Sequence, residues 1–431
     1  TSFVLAGDTI GNSAGLGYEM PHTSGITYPS FYNIPGNDDL LFSYRVGSSG
    51  DGDLQLVRWD NTANTWNAVH AATGGNPPLL AGTDTDVNGY PNYAAFDSQG
   101  NWHITWTWRD TGGYQTNHNI MYAWSPNQGV DWYRQDGTLY QESGVHAINE
   151  SNAPPVVNIP EQSSLMNQTY MTTGPEDNVY VASYWAPNAA SGDHLRQYML
   201  AWQDGDTWRT SQITNRNPEY TNAEGVSQKI TDSLLASYYM CRPTVAVDDH
   251  DRVIVIFNDW QRGKVITIAY SEDPDRDDWQ LFDLPTDIMG RWEPSLDINR
   301  WKEDGVISLL YLPTMVGPSS GVASIFEWDA EAYFAAIAPA PGDANRDGLV
   351  DEDDAGRLAT YWGATDRADG ITWWEMGDFN NDHAINAVDA AILAANWDYV
   401  AAESTTVPEP STLLLATFLV TAPLLIGRRR G

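Results

Sequence analysis

"SPNQGVDW", Ser125 to Trp132, closes a longer stretch, "TNHNIMYAWSPNQGVDW", that begins at Thr116. The apolar run Ile120 to Trp124 just before it reads as a strand. The octet reads as a tight turn, because Ser and Asn bond nearby backbone and Gly accepts left-handed dihedrals. The plan recurs along the chain as "YPSFYNIPGNDDLLFSYR", "YPNYAAFDSQGNWHITWTWR", "TYMTTGPEDNVYVASYW", "RPTVAVDDHDRVIVIFND" and "EPSLDINRWKEDGVISLLYL". Each unit has a Pro or Tyr start, a short strand, an Asp/Gly/Asn turn and a second strand ending in aromatics. Between these units lie strands that end in Trp: "LVRWDNTANTW", "IMYAWSPNQGVDW", "YMLAWQDGDTW" and "ITIAYSEDPDRDDW". Period-2 alternation with turn chemistry between the runs is a β signal. No convincing amphipathic helix interrupts it. Repeats of short strands predict an all-β fold, a β-propeller, over residues 1–335, with five units clear.

The octet resembles a degenerate Asp-box, S-x-D-x-G-x-T-W, through Ser125, Asn127, Gly129, Asp131 and Trp132; "SEDPDRDDW" is a further decayed copy. That box is a structural turn of sialidase-like propellers and marks the fold, not the chemistry. It lies away from the active face, so His118, beyond the other end of the strand, is expected on the opposite face. Arg109 ends the preceding strand, "WHITWTWR", one loop away from it.

Composition narrows the classes. The 431 residues leave room for more than one domain. Nineteen Trp and 22 Tyr suit aromatic-rich β-structure and the stacking of flat rings on sugars. A formal charge of −35 argues against nucleic acid, whose phosphates nothing here would neutralise. Cys241 is the single cysteine, which excludes an intrachain disulfide; in "YYMCRP" it reads as a buried, inert thiol. The start at Thr1 reads as a removed signal peptide or an incomplete N-terminus.

The C-terminus, "VPEPSTLLLATFLVTAPLLIGRRRG", joins Pro-Glu-Pro at 408–410 to an apolar run, Leu413 to Gly427, and to Arg428, Arg429 and Arg430. The run is shorter than the ~20 residues that span a bilayer comfortably. Basic residues at its end stay cytoplasmic, leaving everything upstream outside. The segment 405–431 resembles a bacterial PEP-CTERM sorting signal. That resemblance implies export, transient membrane anchoring, extracellular or cell-surface display, and a membrane sorting protease that cuts near Pro-Glu-Pro.

Upstream, "GDANRDGLVDEDD" and "GDFNNDHAINAVD" are an internal duplication that concentrates negative charge. Calcium needs six to eight oxygens around a tight loop. The first copy offers Asp343, Asn345, Asp347, Asp351 and Asp354 at loop positions 1, 3, 5, 9 and 12, with the Leu349 carbonyl at position 7. The second offers Asp378, Asn380, Asp382, Asn386 and Asp389 at the same positions, with the Ala384 carbonyl at position 7. Val350 and Ile385 follow, where the two loops are expected to pair, and each loop leads into a helical pattern. The duplication resembles a dockerin type I domain over 342–400, a small all-α module. It implies calcium at two sites and a cohesin-like protein partner. His383 stands at position 6, where the first loop has Gly348, and is expected to strain the turn. The residues after position 9, Glu352-Asp353 and Ala387-Val388, differ from the Ser-Thr type pairs of cellulosomal dockerins. "AAIAPAPGD" reads as the linker ahead of the module.

In the main domain "TYPSF" with "YRVGSSGDG", then "WTWRDTGGYQTNHNIMYAWS", then "SLMNQTYM" resemble, over about 27–260, the BNR-4 type propellers that include ulvan lyases and related polysaccharide lyases. That resemblance implies seven blades and a secreted lyase that cleaves a uronate-containing, acidic polysaccharide by β-elimination. Such chemistry needs a cation on the C6 carboxylate, a base for the C5 proton and an acid for O4. The resemblance implies His118 and Tyr184 for proton transfer, with Asn119 standing where Asp is common, and Arg196 or Arg242 as the neutralising cation. Arg45, Arg109, Asn117, His146 and Tyr198 are further candidate substrate contacts, Arg109 because its strand ends at the same rim as His118. His103, between Trp102 and Ile104, reads as structural. No organic cofactor is implied. Two other readings stay open: a non-catalytic carbohydrate-binding propeller, and a sialidase-like glycoside hydrolase, which needs an arginine triad and a Tyr/Glu pair.

Overall fold

The structure, a computed structural model, describes residues 26–49, 51–70, 77–82, 87–141, 147–217, 219–221, 227–229, 240–286, 292–311, 323–366, 368, 371–380 and 382–400. The chain divides into two compact units, 1–296 with 310–324, and 297–309 with 325–431. His146 and the whole sorting-signal segment lie outside the described residues. No helix among the described residues is long and apolar enough to cross a membrane.

The first unit is built from antiparallel sheets whose neighbours in space are neighbours in sequence. Strands β1 (Ile26–Asn33), β2 (Leu40–Ser48), β3 (Asp51–Asp60) and β4 (Thr65–Ala68) form one run. A second run follows: β5 (Asn88–Pro91), β6 (Ala95–Phe96), β7 (Trp102–Arg109), β8 (Asn117–Ser125), β9 (Trp132–Tyr133) and β10 (Leu139–Gln141). A single parallel pairing, Gly52 with Asn88, joins the two runs into one ten-stranded sheet. Two separate four-stranded meanders come next. One contains β11 (Tyr170–Thr173), β12 (Val179–Trp185), β13 (Gln197–Asp204) and β14 (Thr207–Gln212). After the pair β15 (Glu219–Thr221) and β16 (Ser227–Lys229), the other contains β17 (Thr244–Val247), β18 (Val253–Asn258), β19 (Ile266–Ser271) and β20 (Gln280–Asp283). The sheets have the size of propeller blades, but among the described residues they form no closed ring.

β7 shows why the pattern folds this way. Every residue of "WHITWTWR" is buried, and Trp102, Trp106 and Trp108 pack with Leu54, Leu56 and Trp132 in one core. The turn after β8 is held as its residues predict. Ser125 Oγ accepts from the Gly129 N–H at 2.8 Å, Asn127 Oδ1 accepts from the Asp131 N–H at 2.8 Å, and the Trp132 indole donates to the Gly129 carbonyl at 2.8 Å. His70, which carries no sequence motif, is fully buried beneath this turn with Nε2 on the same carbonyl. The decayed copy repeats the clasp: the Trp279 indole donates to the Arg276 carbonyl at 2.8 Å.

Gly129 sits at φ +91, and a Cβ there would stand 2.7 Å from Leu56 Cδ2 and 3.1 Å from Trp102 Cζ3. Gly137, at φ +77, has open space around it. Overpacking and left-handed strain together set the cost of Gly129→Ala at about 2–4 kcal/mol, whereas Gly137→Ala carries only the strain, about 1–2 kcal/mol. Thermal unfolding of the two variants checks the difference; equal midpoints would refute the packing account.

Two expectations change. The turn of the fifth repeat is a helix, α1 (Ile298–Asp304), capped by Asp297, whose side chain accepts from the Asn299 and Arg300 N–H groups, and stopped by Gly305 at φ +65. It precedes β21 (Val306–Tyr311), which pairs with β22 (Ser324–Asp329). Second, Val350 and Ile385 share a buried core, but their backbones do not pair with each other. Val350 N–H donates to the Tyr399 carbonyl, and Ile385 exchanges bonds with residues 363 and 364. The second unit otherwise holds α2 (Ala330–Ile337), α3 (Glu352–Thr360), α4 (Trp373–Met376) and α5 (Ala387–Ala395).

Candidate functional site

β8 begins at Asn117, so His118 is a strand residue paired with Trp108, not a loop residue. It lies seven residues from Ser125, about 23 Å at strand rise. The scaffold turn and the histidine thus occupy opposite ends of one strand. Asn117 and His118 diverge, as alternation along a strand requires.

Asn117 joins a set of neutral groups around a buried guanidinium. Arg109 donates to Asn117 Oδ1 at 2.6 Å, to Tyr90 OH at 3.2 Å, to Ser49 Oγ at 3.3 Å and to Asn167 Oδ1 at 2.9 Å. Its guanidinium lies 4.3 Å from the Tyr90 ring, and that of Arg45 lies 4.8 Å from the same ring. Burial pushes Arg109 below the ordinary arginine value; Tyr90 opposes that and Arg45 adds to it.

His118 turns toward carboxylates. Its Nε2 is 2.9 Å from Asp110 Oδ1 and 3.7 Å from Glu150 Oε1. Hydrogen bonding to Asp110 pushes the nearby Glu161 carboxyl above its ordinary value, and burial adds to this. Asp110, His118 and Glu150 present ligand atoms within 4.8 Å of one another.

Tyr184, on β12, and Arg196, just before β13, form the second focus. Both are fully buried, and the Arg196 guanidinium lies 5.5 Å from the Tyr184 ring and 5.5 Å from the Tyr114 ring. None of the three Arg196 nitrogens has a hydrogen-bond partner among the described residues. The Tyr114 hydroxyl is near enough to help hold the cation but lies outside hydrogen-bonding geometry. Burial lowers Arg196 from the ordinary value, and Tyr184 and Tyr114 oppose the shift. Two other buried arginines are compensated: Arg216, near Arg196, meets Asp259 at 2.7 Å, and Arg276, at the other end of the sheet, meets Asp251. Arg242 meets Glu293 at 2.5 Å and donates to the Asn167 carbonyl at 2.9 Å. Burial pushes the Tyr184 hydroxyl up to about 12, against the pull of Arg196 and Arg242. Tyr184 is therefore protonated at neutral pH.

Of the remaining residues, Tyr198 is buried opposite Tyr184, its hydroxyl donating to the Asn258 carbonyl at 2.9 Å and accepting from the Cys241 N–H at 3.1 Å. His103 bridges Tyr122 and Asp97 within the core. Burial pushes the Cys241 thiol up to about 12, which leaves it unreactive. The structure thus brings Tyr184 to Arg196 and Arg242, and Asn117 to Arg109, with Asn167 touching both groups. His118 keeps a separate set of partners. Tyr114, Asn167, Asp110, Glu150 and Glu161 carry no motif, and sequence reasoning missed them; Tyr114, in the loop that leads into "NHN", was the nearest to a signal.

In the second unit, Asp354 Oδ1 accepts from the Ala344 and Asn345 N–H groups and Oδ2 from the Asp351 N–H. Asp389 repeats this with Phe379 and Asn386. Asp378, Asp382 and Asp389 offer carboxylate oxygens within 4.8 Å of one another. This all-oxygen donor set on a tight loop fits calcium. His383 is left-handed at φ +60, and its ring stacks on Trp373 at 5.2 Å.

Comparison with known proteins locates both units. Residues 10–216 match the family model described as BNR repeat-containing family member, and residues 341–397 match the dockerin type I domain, a calcium-binding module. Among solved structures, the polysaccharide lyase Uly1 superposes with a TM-score of 0.44 at 12% identity, over 70% of this chain and 57% of that one. A PL25 ulvan lyase bound to -[GlcA(1-4)Rha3S]- gives 0.44 at 10% identity, over 71% and 62%. The α-L-arabinofuranosidase Arb93A of Fusarium graminearum gives 0.38 at 10%, over 70% and 76%. The chain thus spans less than two thirds of either lyase, and the neighbours include both lyases and glycoside hydrolases. No curated protein matches by sequence.

Proposed function

We propose that the first unit is a β-propeller lyase that cleaves a uronate-containing polysaccharide by β-elimination, and that Arg196 is the cation that neutralises the C6 carboxylate. The observation that carries this reading is the fully buried Arg196 guanidinium beside Tyr184, which meets aromatic rings but no hydrogen-bond acceptor or carboxylate among the described residues. A buried charge without a counter-ion costs several kcal/mol and persists where a ligand supplies the opposite charge. Arg242 is the weaker candidate because Glu293 already neutralises it.

In the reaction the C5–H bond breaks, its electron pair forms the C4=C5 double bond, and the C4–O4 bond breaks toward oxygen. His118 takes the C5 proton. Tyr184, protonated at neutral pH, delivers a proton to O4. Arg45, Arg109 and Asn117 line the neighbouring sugar position in this reading. The dockerin-like unit would hold calcium through Asp343, Asn345, Asp347, Asp351 and Asp354 with the Leu349 carbonyl, and through the corresponding residues from Asp378 to Asp389. Calcium bound there would order the loops; the dockerin match supports a cohesin-like partner and a location outside the cell, the reading that the sorting-signal resemblance also favours.

The test is a panel of uronate polysaccharides followed by the ultraviolet absorbance of the unsaturated product. Absorbance growth on one or more polymers supports the lyase. Tight polymer binding without any unsaturated product supports a carbohydrate-binding propeller, and reducing ends released without absorbance support a hydrolase.

A further inference from the structure

Asn119 follows His118 on β8 with φ +58, a left-handed conformation that Asn tolerates and most residues avoid. Its side chain is oriented by the backbone: the Ile159 N–H donates to Asn119 Oδ1 at 3.0 Å. The oxygen is thereby identified, and the amide nitrogen must be the atom that stands 3.0 Å from His118 Nδ1. An amide nitrogen only donates, so Nδ1 must carry a lone pair. The proton of the neutral imidazole then sits on Nε2, where Asp110 Oδ1 accepts it at 2.9 Å.

We infer that Asn119 is a positioning residue that fixes His118 as the Nε2–H tautomer and leaves Nδ1 as its basic nitrogen. The titratable groups facing the ring are Asp110, from the loop after β7, and Glu150 and Glu161, from the segment after β10. All three lie on the Nε2 side or beside Asp110, so nothing else among the described residues dictates the state of Nδ1. The same arrangement opposes a metal on Nε2. Such a ligand would move the proton to Nδ1, where it would face the Asn119 donor. The bearing of this on proton abstraction rests on the lyase reading; the tautomer does not.

The experiment is long-range ¹⁵N–¹H correlation of the histidine rings in the full-length protein at pH 8, with His118 assigned by loss of its signals in His118→Gln. Wild type is expected to show an unprotonated Nδ1 and a protonated Nε2. Asn119→Gly keeps the left-handed backbone while deleting the donor, and should lower the ratio of Nε2–H to Nδ1–H by about 10-fold, the worth of one hydrogen bond. Asn119→Asp replaces the donor by an acceptor and should place a proton on Nδ1. A wild-type ring protonated at Nδ1, or a ratio unchanged in both variants, would overturn the assignment. Because none of these readings needs turnover, they hold or fail whatever the polysaccharide panel returns.

Discussion

Tyr184→Phe is expected to lower kcat on the responsive polymer by about 10²–10⁴-fold, the usual worth of a positioned proton donor, with the fold intact. The deleted hydroxyl makes no hydrogen bond among the described residues, so its removal costs little stability. Arg196→Ala should lower kcat and raise KM together, because the carboxylate is contacted in both ground and transition states. Its thermal midpoint is the sharper diagnostic. Removing a buried charge that meets no carboxylate among the described residues recovers its desolvation cost and offsets the lost packing of the side-chain stem on Tyr184 and Tyr114. Arg216→Ala instead strands Asp259 as a buried carboxylate and should destabilise by about 3–5 kcal/mol. Arg196→Ala should therefore stay within a few degrees of wild type while Arg216→Ala falls well below it. If Arg196→Ala unfolded as readily as Arg216→Ala, the arginine would be a structural group and the carboxylate site would be misplaced. Full lyase activity in both Tyr184→Phe and Arg196→Ala would defeat the mechanism outright.

Calcium at a thousandfold its dissociation constant should stabilise the dockerin-like unit by about 4 kcal/mol, through linkage alone. Limited proteolysis of the full chain with and without a chelator, read at cleavages within 340–400, measures this; identical patterns would exclude calcium as a structural ligand. Asp354→Ala should halve the calcium stoichiometry in calorimetry. It removes a carboxylate that would ligate the ion and is the acceptor of three backbone N–H groups in the first loop, without touching the second. His383→Gly should tighten the second site by only about twofold, roughly 0.5 kcal/mol. Relief of a left-handed φ gains about 1–2 kcal/mol, and loss of the stack on Trp373 gives back about 0.5–1.5 kcal/mol. Turn strain alone would have predicted a much tighter site.

The repeats could be read from sequence because each strand pair is local: a turn residue and a period-2 run announce β7 and β8 without any distant partner. The helix α1 was hidden for the opposite reason. Seven residues are too few to show helical periodicity, and only the Asp297 cap and the Gly305 stop marked it. The dockerin-like duplication was legible, since ligand spacing is a local property, and Asp378, Asp382 and Asp389 of its second loop do converge. The sites of the first unit were legible only in part. Tyr184, Arg196 and His118 stand in recognisable stretches, but what makes Arg196 unusual is that none of its three nitrogens meets an acceptor among the described residues, and no linear motif encodes an absence. Tyr114 and Asn167 reach their positions through contacts between residues far apart in the chain, as do Glu150 and Glu161.

The sequence-ordered meanders also set an order of events during synthesis. The sheet β11–β14 closes within residues 170–212 and β17–β20 within 244–283, so each consists of short-range contacts. Low contact order permits fast hairpin formation. Each sheet can therefore pair its strands with one another as it leaves the ribosome, before the next is made. Joining sheets demands slower, long-range contacts, such as the Gly52–Asn88 pairing and the Ser98–Asp177 hydrogen bonds. The nascent chain thus passes through stages in which finished sheets wait with apolar faces uncovered, and the Val/Ile-rich β17–β19 stretch is the segment on which a chaperone would be expected to act.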